Sequence, residues 1–500
     1  MLISFFIITL TNDMIDAEGK LGTQKTQAKA KAMAFKQVNT MKHSKYNYNC
    51  KYGDQIILYN TFSGNIVLLS EKELGEFNAL SNMSGEEYKE YKKRGFLIED
   101  DIDEFAIMQF DNAYYNMKNP PRFRILTTTG CNAKCGYCYE AGTPIKTMTR
   151  DTALKVVSFI ERNAERSHPI DLEWFGGEPL VNKGIIDVIC QKLMADGYEI
   201  KSSIVTNGIL LDAKAVDHLK TMAHLERVQI TLDGLGEVYD RVKQVSKGTF
   251  QIVLNNILYA AENDISVHVR LNLTDRVDEV RELIEWLGAN VGFNHKVFYY
   301  LYPIFKSGRE VSRDRMIQLL GLNDVLLDSG LMKSADLYKL PYRRTRCFAT
   351  NLSGYTIAPD GALYNCSHVM TTEAPIGTVE NNSSYNSRRI RFMSLNVSAE
   401  CRECVYYPLC KGGCRTAELG LAELNQCTIY KSCLDMVLRR VLEYKGKEKY
   451  EMTVIRNGSE IQELKSAGRL AMDSALFVAE SCNNDGDCWD CDGCGGSVTH

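Results

Sequence analysis

The sequence gathers 17 cysteines into groups instead of scattering them along its 500 residues, and this limits what the chain can be more than any other feature. Small secreted domains use dense cysteine as a disulfide framework, whereas in an enzyme-sized chain such groups more often hold metal or iron–sulfur clusters. Export is therefore the first alternative to test. The opening MLISFFIITLTNDMID contains an apolar run of signal-peptide length, but no Lys or Arg precedes it and no small-residue cleavage site follows directly. The run is also too short to span a bilayer. A reduced, cytoplasmic protein is expected, with residues 1–41 as a poorly structured leader and Met41 as an alternative start. With 59 Lys+Arg against 63 Asp+Glu, the chain has no basic field to attract nucleic acid or an anionic membrane, and neither is expected as a partner.

Across residues 119–306 the runs RFRILTTT, IDLEWFG, SIVTNG, ERVQITLDG, ISVHVRLNL and VFYYLYPIF alternate with helical patterns. Such alternation predicts a parallel α/β sheet, and six βα units, short of a closed barrel's eight, predict a partial (β/α)6 barrel with its chemistry at the strand C-termini. Residues 42–118 place DQIILYN and GNIVLLS around a Ser63-Gly64-Asn65 turn, followed by two short helical patterns and an acidic stretch ending in DIDEF. This is a small α+β module of winged-helix character. It either caps the enzyme or holds an extended peptide on a strand edge. Residues 307–345 read as a helical bridge and 346–445 as a cysteine-dense domain. The tail, 446–500, reads as a helical charged segment followed by an acidic, glycine-containing end bearing Cys482, Cys488, Cys491 and Cys494.

The first strand runs into Cys131-Asn-Ala-Lys-Cys135-Gly-Tyr-Cys138. Three thiolates can hold three corners of a cubane and leave one iron open, whereas a closed zinc site wants a fourth protein ligand. A Cx3Cx2C loop after the first strand, with an aromatic residue before the last cysteine, resembles the radical S-adenosylmethionine (SAM) superfamily. Further strand ends extend the resemblance: Gly176-Gly177-Glu178-Pro179, Thr206-Asn207-Gly208, Thr231-Leu232-Asp233-Gly234, and Arg270 with Asn272. It implies that Cys131, Cys135 and Cys138 carry a catalytic [4Fe–4S] cluster and that Gly176, Gly177, Glu178 and Pro179 receive the methionyl amino group. It also implies that Thr231 and Arg270 hold the SAM carboxylate, that Tyr137 borders the adenine, and that Thr206, Asn207 and Asn272 complete the cofactor site. Thr231 departs from the family's more usual serine but keeps the hydroxyl. The competing reading is a zinc-bearing α/β protein with turn glycines at those positions.

The later cysteines, Cys347-x13-Gly361-x4-Cys366, Cys401-x2-Cys404-x5-Cys410-x3-Cys414 and Cys427, resemble the SPASM extension of radical SAM enzymes, which carries two auxiliary [4Fe–4S] clusters. The family's interleaved pattern implies one cluster on Cys401, Cys404, Cys410 and Cys427 and another on Cys347, Cys366 and Cys414. Either Cys433 folds back as the eighth ligand or one auxiliary iron stays open; a pair of zinc sites is the alternative for the region. Cys50 reads as a loop thiol and Cys190 as a buried helix residue.

The resemblance implies a radical SAM peptide maturase that cleaves SAM, abstracts hydrogen from a ribosomally made peptide and joins cysteine sulfur to carbon as a thioether. The partners implied are a precursor peptide, either separate or the chain's own tail, and an electron donor such as flavodoxin or ferredoxin. Two alternatives stand beside it. One is oxidation of Cys or Ser to formylglycine, as in anaerobic sulfatase maturases, although Ser367 and then His368 follow Cys366 where those enzymes usually place an aspartate. The other is a non-catalytic iron–sulfur or leader-binding scaffold. The tail is open to three readings: inert appendage, lid, or substrate in cis.

Overall fold

A computed structural model describes residues 40–447, apart from 81–82, 119, 274–275, 304–311, 334–345, 382–385, 395–396 and 422–426, together with two strands at 454–456 and 460–462. The four tail cysteines and the first 39 residues lie outside the described residues.

The N-terminal module begins with β1 (Met41–His43), β2 (Asn47–Tyr52), β3 (Gln55–Asn60) and β4 (Ile66–Leu69). The expected hairpin is β3–β4, and the structure adds β2 on its other side, so the sheet order is β2-β3-β4. Cys50 therefore sits in a strand and not in a loop. Two helices follow, α1 (Glu71–Ala79) and α2 (Gly85–Lys93), each opened by a complete capping box, on Ser70 with Glu73 and on Ser84 with Glu87. β5 (Leu97–Glu99) pairs with β1, and the acidic stretch leads into a third helix, α3 (Glu104–Lys118). Here the acidic side chains serve the helix start: Asp103 Oδ1 accepts from the backbone N–H groups of Phe105 and Ala106.

The six expected barrel strands are all present: β6 (Arg122–Thr128), β7 (Ile170–Gly176), β8 (Ile200–Thr206), β9 (Leu225–Leu232), β10 (Ser266–Leu273) and β11 (Val297–Pro303). They pair in parallel in sequence order, as right-handed βα crossovers require. The helices between them are α4 (Arg150–Asn163), α5 (Lys183–Ala195), α6 (Ala213–Met222), α7 (Glu237–Lys243), α8 (Thr249–Glu262) and α9 (Val277–Asn290). Their apolar faces close one continuous core with the sheet, in which Trp174, Ile186, Val228, Ile257 and Leu283 are fully buried. Cys190 is part of that core, as its helical position predicts.

The sheet does not stop at β6. β12 (Gly354–Ile357) pairs in parallel with β6 from Gly354↔Arg122 to Ile357↔Ile125, and β13 (Ala362–Tyr364) and β14 (Gly377–Thr378) continue antiparallel, giving nine strands. The cysteine-dense domain is thereby built onto the strand that carries the first cysteine loop. The bridge contains α10 (Arg313–Asp328), and after α11 (Ser387–Met393) and several short turns the long α12 (Tyr430–Lys447) packs back on it. Two forked ion pairs hold these helices together: Arg313 reaches both Asp435 oxygens at 3.0 and 2.6 Å, and Arg440 grips Asp324 at 2.8–3.2 Å.

The N-terminal module also rests on the cysteine-dense domain. Tyr46, Met108 and Tyr407 are buried together, ringed by Phe62, Phe105, Cys401 and Cys404. Thr61 Oγ1 donates to the Val405 carbonyl at 2.5 Å, and Gln109 Nε2 donates to the Tyr407 hydroxyl at 2.7 Å.

The tail departs from its helical reading. β15 (Val454–Arg456) and β16 (Glu460–Gln462) form an antiparallel pair with Ile455 opposite Ile461. Asn457-Gly458, the strongest short hairpin signal in that segment, lies between them in sequence, and the β-branched Val454, Ile455 and Ile461 favour strand over helix. No described helix is long and apolar enough to cross a membrane.

Candidate active site

The loop after β6 presents Cys131 and Cys138 exposed and Cys135 half-buried, at the C-terminal end of the sheet. Burial raises the Cys131 thiol, and two donors oppose the rise: the backbone N–H of Ala133, 3.4 Å from its Sγ, and Asn207 Nδ2, 3.7 Å from it. No three His, Cys, Asp or Glu side chains among the described residues converge at single-ion distances. A cubane takes its thiolates at separate corners, and three uncrosslinked thiols on one strand-end loop suit that donor geometry.

The glycine motif packs directly beneath this loop. Gly177 N donates to Thr128 O at 3.0 Å and Glu178 N to Gly130 O at 2.9 Å. A Cβ on Gly177 would stand 2.5 Å from Gly130 O and 2.6 Å from Thr129 O, a distance backbone atoms cannot accept. Gly177→Ala is expected to destabilise the protein by about 3 kcal/mol, the upper range for overpacking against unyielding atoms, and to lower iron loading at the first loop. Urea unfolding and iron analysis check this beside Gly184→Ala, where a Cβ meets open space.

Glu178 is held within the protein. Its side chain is completely buried and accepts three hydrogen bonds from the protein: Leu180 N at 3.1 Å, Thr206 Oγ1 at 2.8 Å and Asn207 N at 2.8 Å. Burial raises its carboxyl above the ordinary range, and these donors oppose the rise. The carboxylate ties the ends of β7 and β8 together. Pro179 is likewise structural, opening a buried 3-10 turn and accepting from Thr127 Oγ1 through its carbonyl at 2.9 Å. Thr206 spends its hydroxyl on Glu178, while Asn207 reaches the Asn132 side chain at 2.6 Å.

Of the remaining expected cofactor residues, Arg270, Asn272 and Tyr137 belong to one hydrogen-bonded chain, with Thr231 beside Arg270 on the next strand. Thr231 and Arg270 are register partners on β9 and β10. Arg270 Nε donates to Asn272 Oδ1 at 2.9 Å with its guanidinium over the Tyr302 ring at 3.5 Å, and Asn272 Nδ2 donates to Asp233 Oδ1 at 2.8 Å. The other Asp233 oxygen accepts from the Tyr137 hydroxyl at 2.5 Å and pairs with Lys243 Nζ at 2.8 Å, and Lys243 also donates to Tyr137. Burial alone would lower the Lys243 ammonium, but the Asp233 carboxylate and Tyr137 hold it well above its ordinary value. Lys243 also accepts Lys134 N on its carbonyl at 2.9 Å, so the same hub anchors the cysteine loop. Asp233 and Lys243 went unassigned in the sequence, although the aspartate stands in the strand-end motif.

A second unassigned pair joins the neighbouring strands β6 and β7. Arg124 Nε donates to Glu173 Oε2 at 2.5 Å and its NH1 to Ser367 Oγ at 3.3 Å; both charged residues are essentially fully buried. Their signal was a charge inside strands that a doubly covered sheet buries on both faces. Ser367 is thus held by Arg124, while the neighbouring His368 ring packs on Tyr139 with centroids 4.3 Å apart. Tyr139 follows Cys138 and His368 lies two residues beyond Cys366, so this ring contact joins the two cysteine loops.

Cys366 lies close enough to Cys414 to raise its thiol, although burial is the larger cause of a value pushed up to about 11, and Cys347 packs against the same buried cluster. Cys401 and Cys404 lie together beside Tyr407, which also senses Cys410. Cys427 is half-buried at the start of the turn into α12. Cys433 belongs elsewhere. It faces the main core from α12, its Sγ 3.4 Å from the Ile429 carbonyl, with burial pushing the thiol up to about 12. A thiol placed this way packs as a small hydrophobe, whereas folding back as a ligand would turn it out of the core.

Residues 125–300 match the model of the Radical SAM superfamily. A GTP 3′,8-cyclase of Clostridium perfringens (strain SM101 / Type A) is 28% identical over 274 residues, 49% of this chain and 80% of the relative. A cysteine-type anaerobic sulfatase-maturating enzyme of Clostridium novyi (strain NT) is 22% identical over 333 residues, covering 58% and 86%. The solved structure of native anSMEcpe with bound AdoMet superposes with a TM-score of 0.50 at 17% identity, over 66% of this chain and 98% of that one, a likeness of fold. The two relatives are named for different activities. The cysteine triplet, the glycine motif and the Thr231–Arg270 strand pair, gathered at one end of six parallel strands, all lie within the residues that match the Radical SAM model, so this chain carries a radical SAM domain, the domain of an enzyme superfamily.

Proposed function

We propose that the protein is a SPASM-type radical SAM peptide maturase that forms thioether links from cysteine sulfur to carbon in a ribosomally made peptide. The observation that carries this reading is the junction of the two cysteine regions: β12 extends the sheet from β6, and Tyr139 stacks on His368 between the Cys138 and Cys366 loops. A peptide at the barrel mouth would there meet both regions at once. Cys131, Cys135 and Cys138 would hold the catalytic [4Fe–4S] cluster; Cys401, Cys404, Cys410 and Cys427 one auxiliary cluster; and Cys347, Cys366 and Cys414 another with an open iron. With SAM and an electron from a flavodoxin- or ferredoxin-type donor, these groups supply hydrogen abstraction from carbon and a sink for the second electron.

The chain's own part is binding and orientation. Thr231 and Arg270 offer a hydroxyl and a guanidinium to the SAM carboxylate, and the backbone of Gly176 and Gly177 lies against the loop that carries the cluster ligands. Asp233, Lys243 and Asn272 fix Tyr137 and Arg270 in place, so little ordering is left to accompany binding. The module of residues 42–118 would hold the peptide's leader by main-chain pairing, in a protein working in the reducing cytoplasm. Formylglycine formation is the less favoured reading, because Ser367, where the maturases usually carry aspartate, already serves Arg124.

Anaerobic turnover with SAM and dithionite tests the reading. Each thioether should lower the mass of the modified peptide, whether a separate substrate or the tail, by two hydrogens and protect one cysteine from alkylation. Consumption of SAM with every candidate peptide unchanged in mass and fully alkylated would rule out thioether formation on them.

A further inference from the structure

β4 is the outer strand of the β2-β3-β4 sheet: β3 pairs with one side, and no strand of that sheet lies on the other. It reads Ile66-Val67-Leu68-Leu69, and a bare apolar edge of this kind is a template for strand addition that proteins ordinarily cover. The structure brings β15 alongside it, with Cα atoms of the two strands within 8 Å. Stacked sheets stand about 10 Å apart and neighbouring strands about 4.8 Å, so β15 stands closer to β4 than a stacked sheet would, although the two strands belong to separate sheets. β15 and β16 are themselves paired and form a ready two-stranded unit.

We infer that the C-terminal segment docks on its own N-terminal module, with β15 covering the open edge of β4 where a leader peptide would add, so that the tail beyond is presented to the same molecule. The consequence for the tail rests on the peptide-maturase reading, whereas the docking does not. Joined to the enzyme, the segment faces the edge at an effective concentration of the order of millimolar, so a weak strand contact suffices and a separate leader must displace it. Cys482 lies 20 residues after Gln462 (482 − 462), a length that spans up to about 70 Å when extended, more than twice the roughly 30 Å of a small domain. A segment of that length can carry the tail cysteines well away from β4.

The test is hydrogen exchange and peptide binding on the holoenzyme, without SAM or reductant, comparing the wild-type chain with Ile455→Pro, which removes a main-chain donor from β15. A second variant ends at Lys447, where α12 ends, and leaves the remaining described fold intact. The β4 amides not bonded to β3 are expected to exchange at least tenfold faster in both variants. A fluorescent peptide of residues 451–466 should bind both variants and fail to bind the wild-type chain. Equal β4 exchange in all three proteins, or equal peptide binding by all three, overturns the docking. Neither readout needs turnover, so failure here leaves the maturase reading standing, and an unmodified peptide in the turnover assay leaves the docking standing.

Discussion

Replacing Cys131, Cys135 and Cys138 together by alanine is expected to abolish 5′-deoxyadenosine formation while leaving the auxiliary iron in place. Three cubanes correspond to about twelve iron atoms per chain, and the variant should retain about eight. The fold should tolerate the change, because two of these side chains are exposed and the third is half-buried, so alanine leaves no core cavity. Anaerobic reconstitution with iron and zinc analysis, followed by chromatographic measurement of SAM cleavage under dithionite, reads both quantities. Cleavage by the triple variant would place the catalytic cluster elsewhere, and about four iron with stoichiometric zinc in the wild-type protein would replace the auxiliary clusters with zinc sites.

Asp233→Ala should be the most damaging single substitution of a residue that carries no cluster. Asp233 and Lys243 are 4% and 3% exposed, so removing the carboxylate leaves a buried ammonium without its counter-charge and takes an acceptor from Tyr137 and Asn272. Breaking a buried pair in this way costs about 3–5 kcal/mol, whereas replacing both charges by apolar groups of similar size is often close to neutral. Asp233→Leu with Lys243→Met should therefore regain most of the stability, measured by urea unfolding, while SAM affinity stays low because Tyr137 and Arg270 are no longer fixed. The pH dependence has a definite sign. In the wild type the Lys243 pKa lies above its unfolded value, so its stabilisation is complete at neutral pH and is lost only as pH rises through the folded, strongly alkaline pKa. In Asp233→Ala desolvation dominates and puts the folded pKa below the unfolded one, so the variant should become relatively more stable between pH 7 and 10. A destabilisation that does not change with pH would mean that Lys243 finds another counter-charge.

The strand–helix alternation was legible in the chain because period and turn chemistry are local: each of the six runs read as a strand is a strand, from β6 to β11, and the cysteine loop sits at the strand end where its spacing put it. Local reading also missed two short hairpins. Cys50 looked like a loop residue because residues 47–52 are mostly polar, although β3 begins just beyond Gly53-Asp54 and pairs with them from Tyr52↔Gln55 to Asn47↔Asn60. The tail at 454–462 looked helical because its charges outweighed a short β-branched pattern with a turn signal at its centre.

What the sequence determined by itself was the sheet, the order of its motifs and the chemical class they imply, since spacing within a few residues decides which groups can share one strand end. Tertiary structure alone decided what those groups do there. Glu178 closes on Thr206 and Asn207, Tyr137 meets Lys243 from 106 residues away, Cys433 turns into a helix core, and Tyr139 finds His368 across two loops. The physical reason is that a buried carboxylate, ammonium or thiol takes its role from whichever donors and charges surround it at close range, and the folding of distant segments supplies those neighbours.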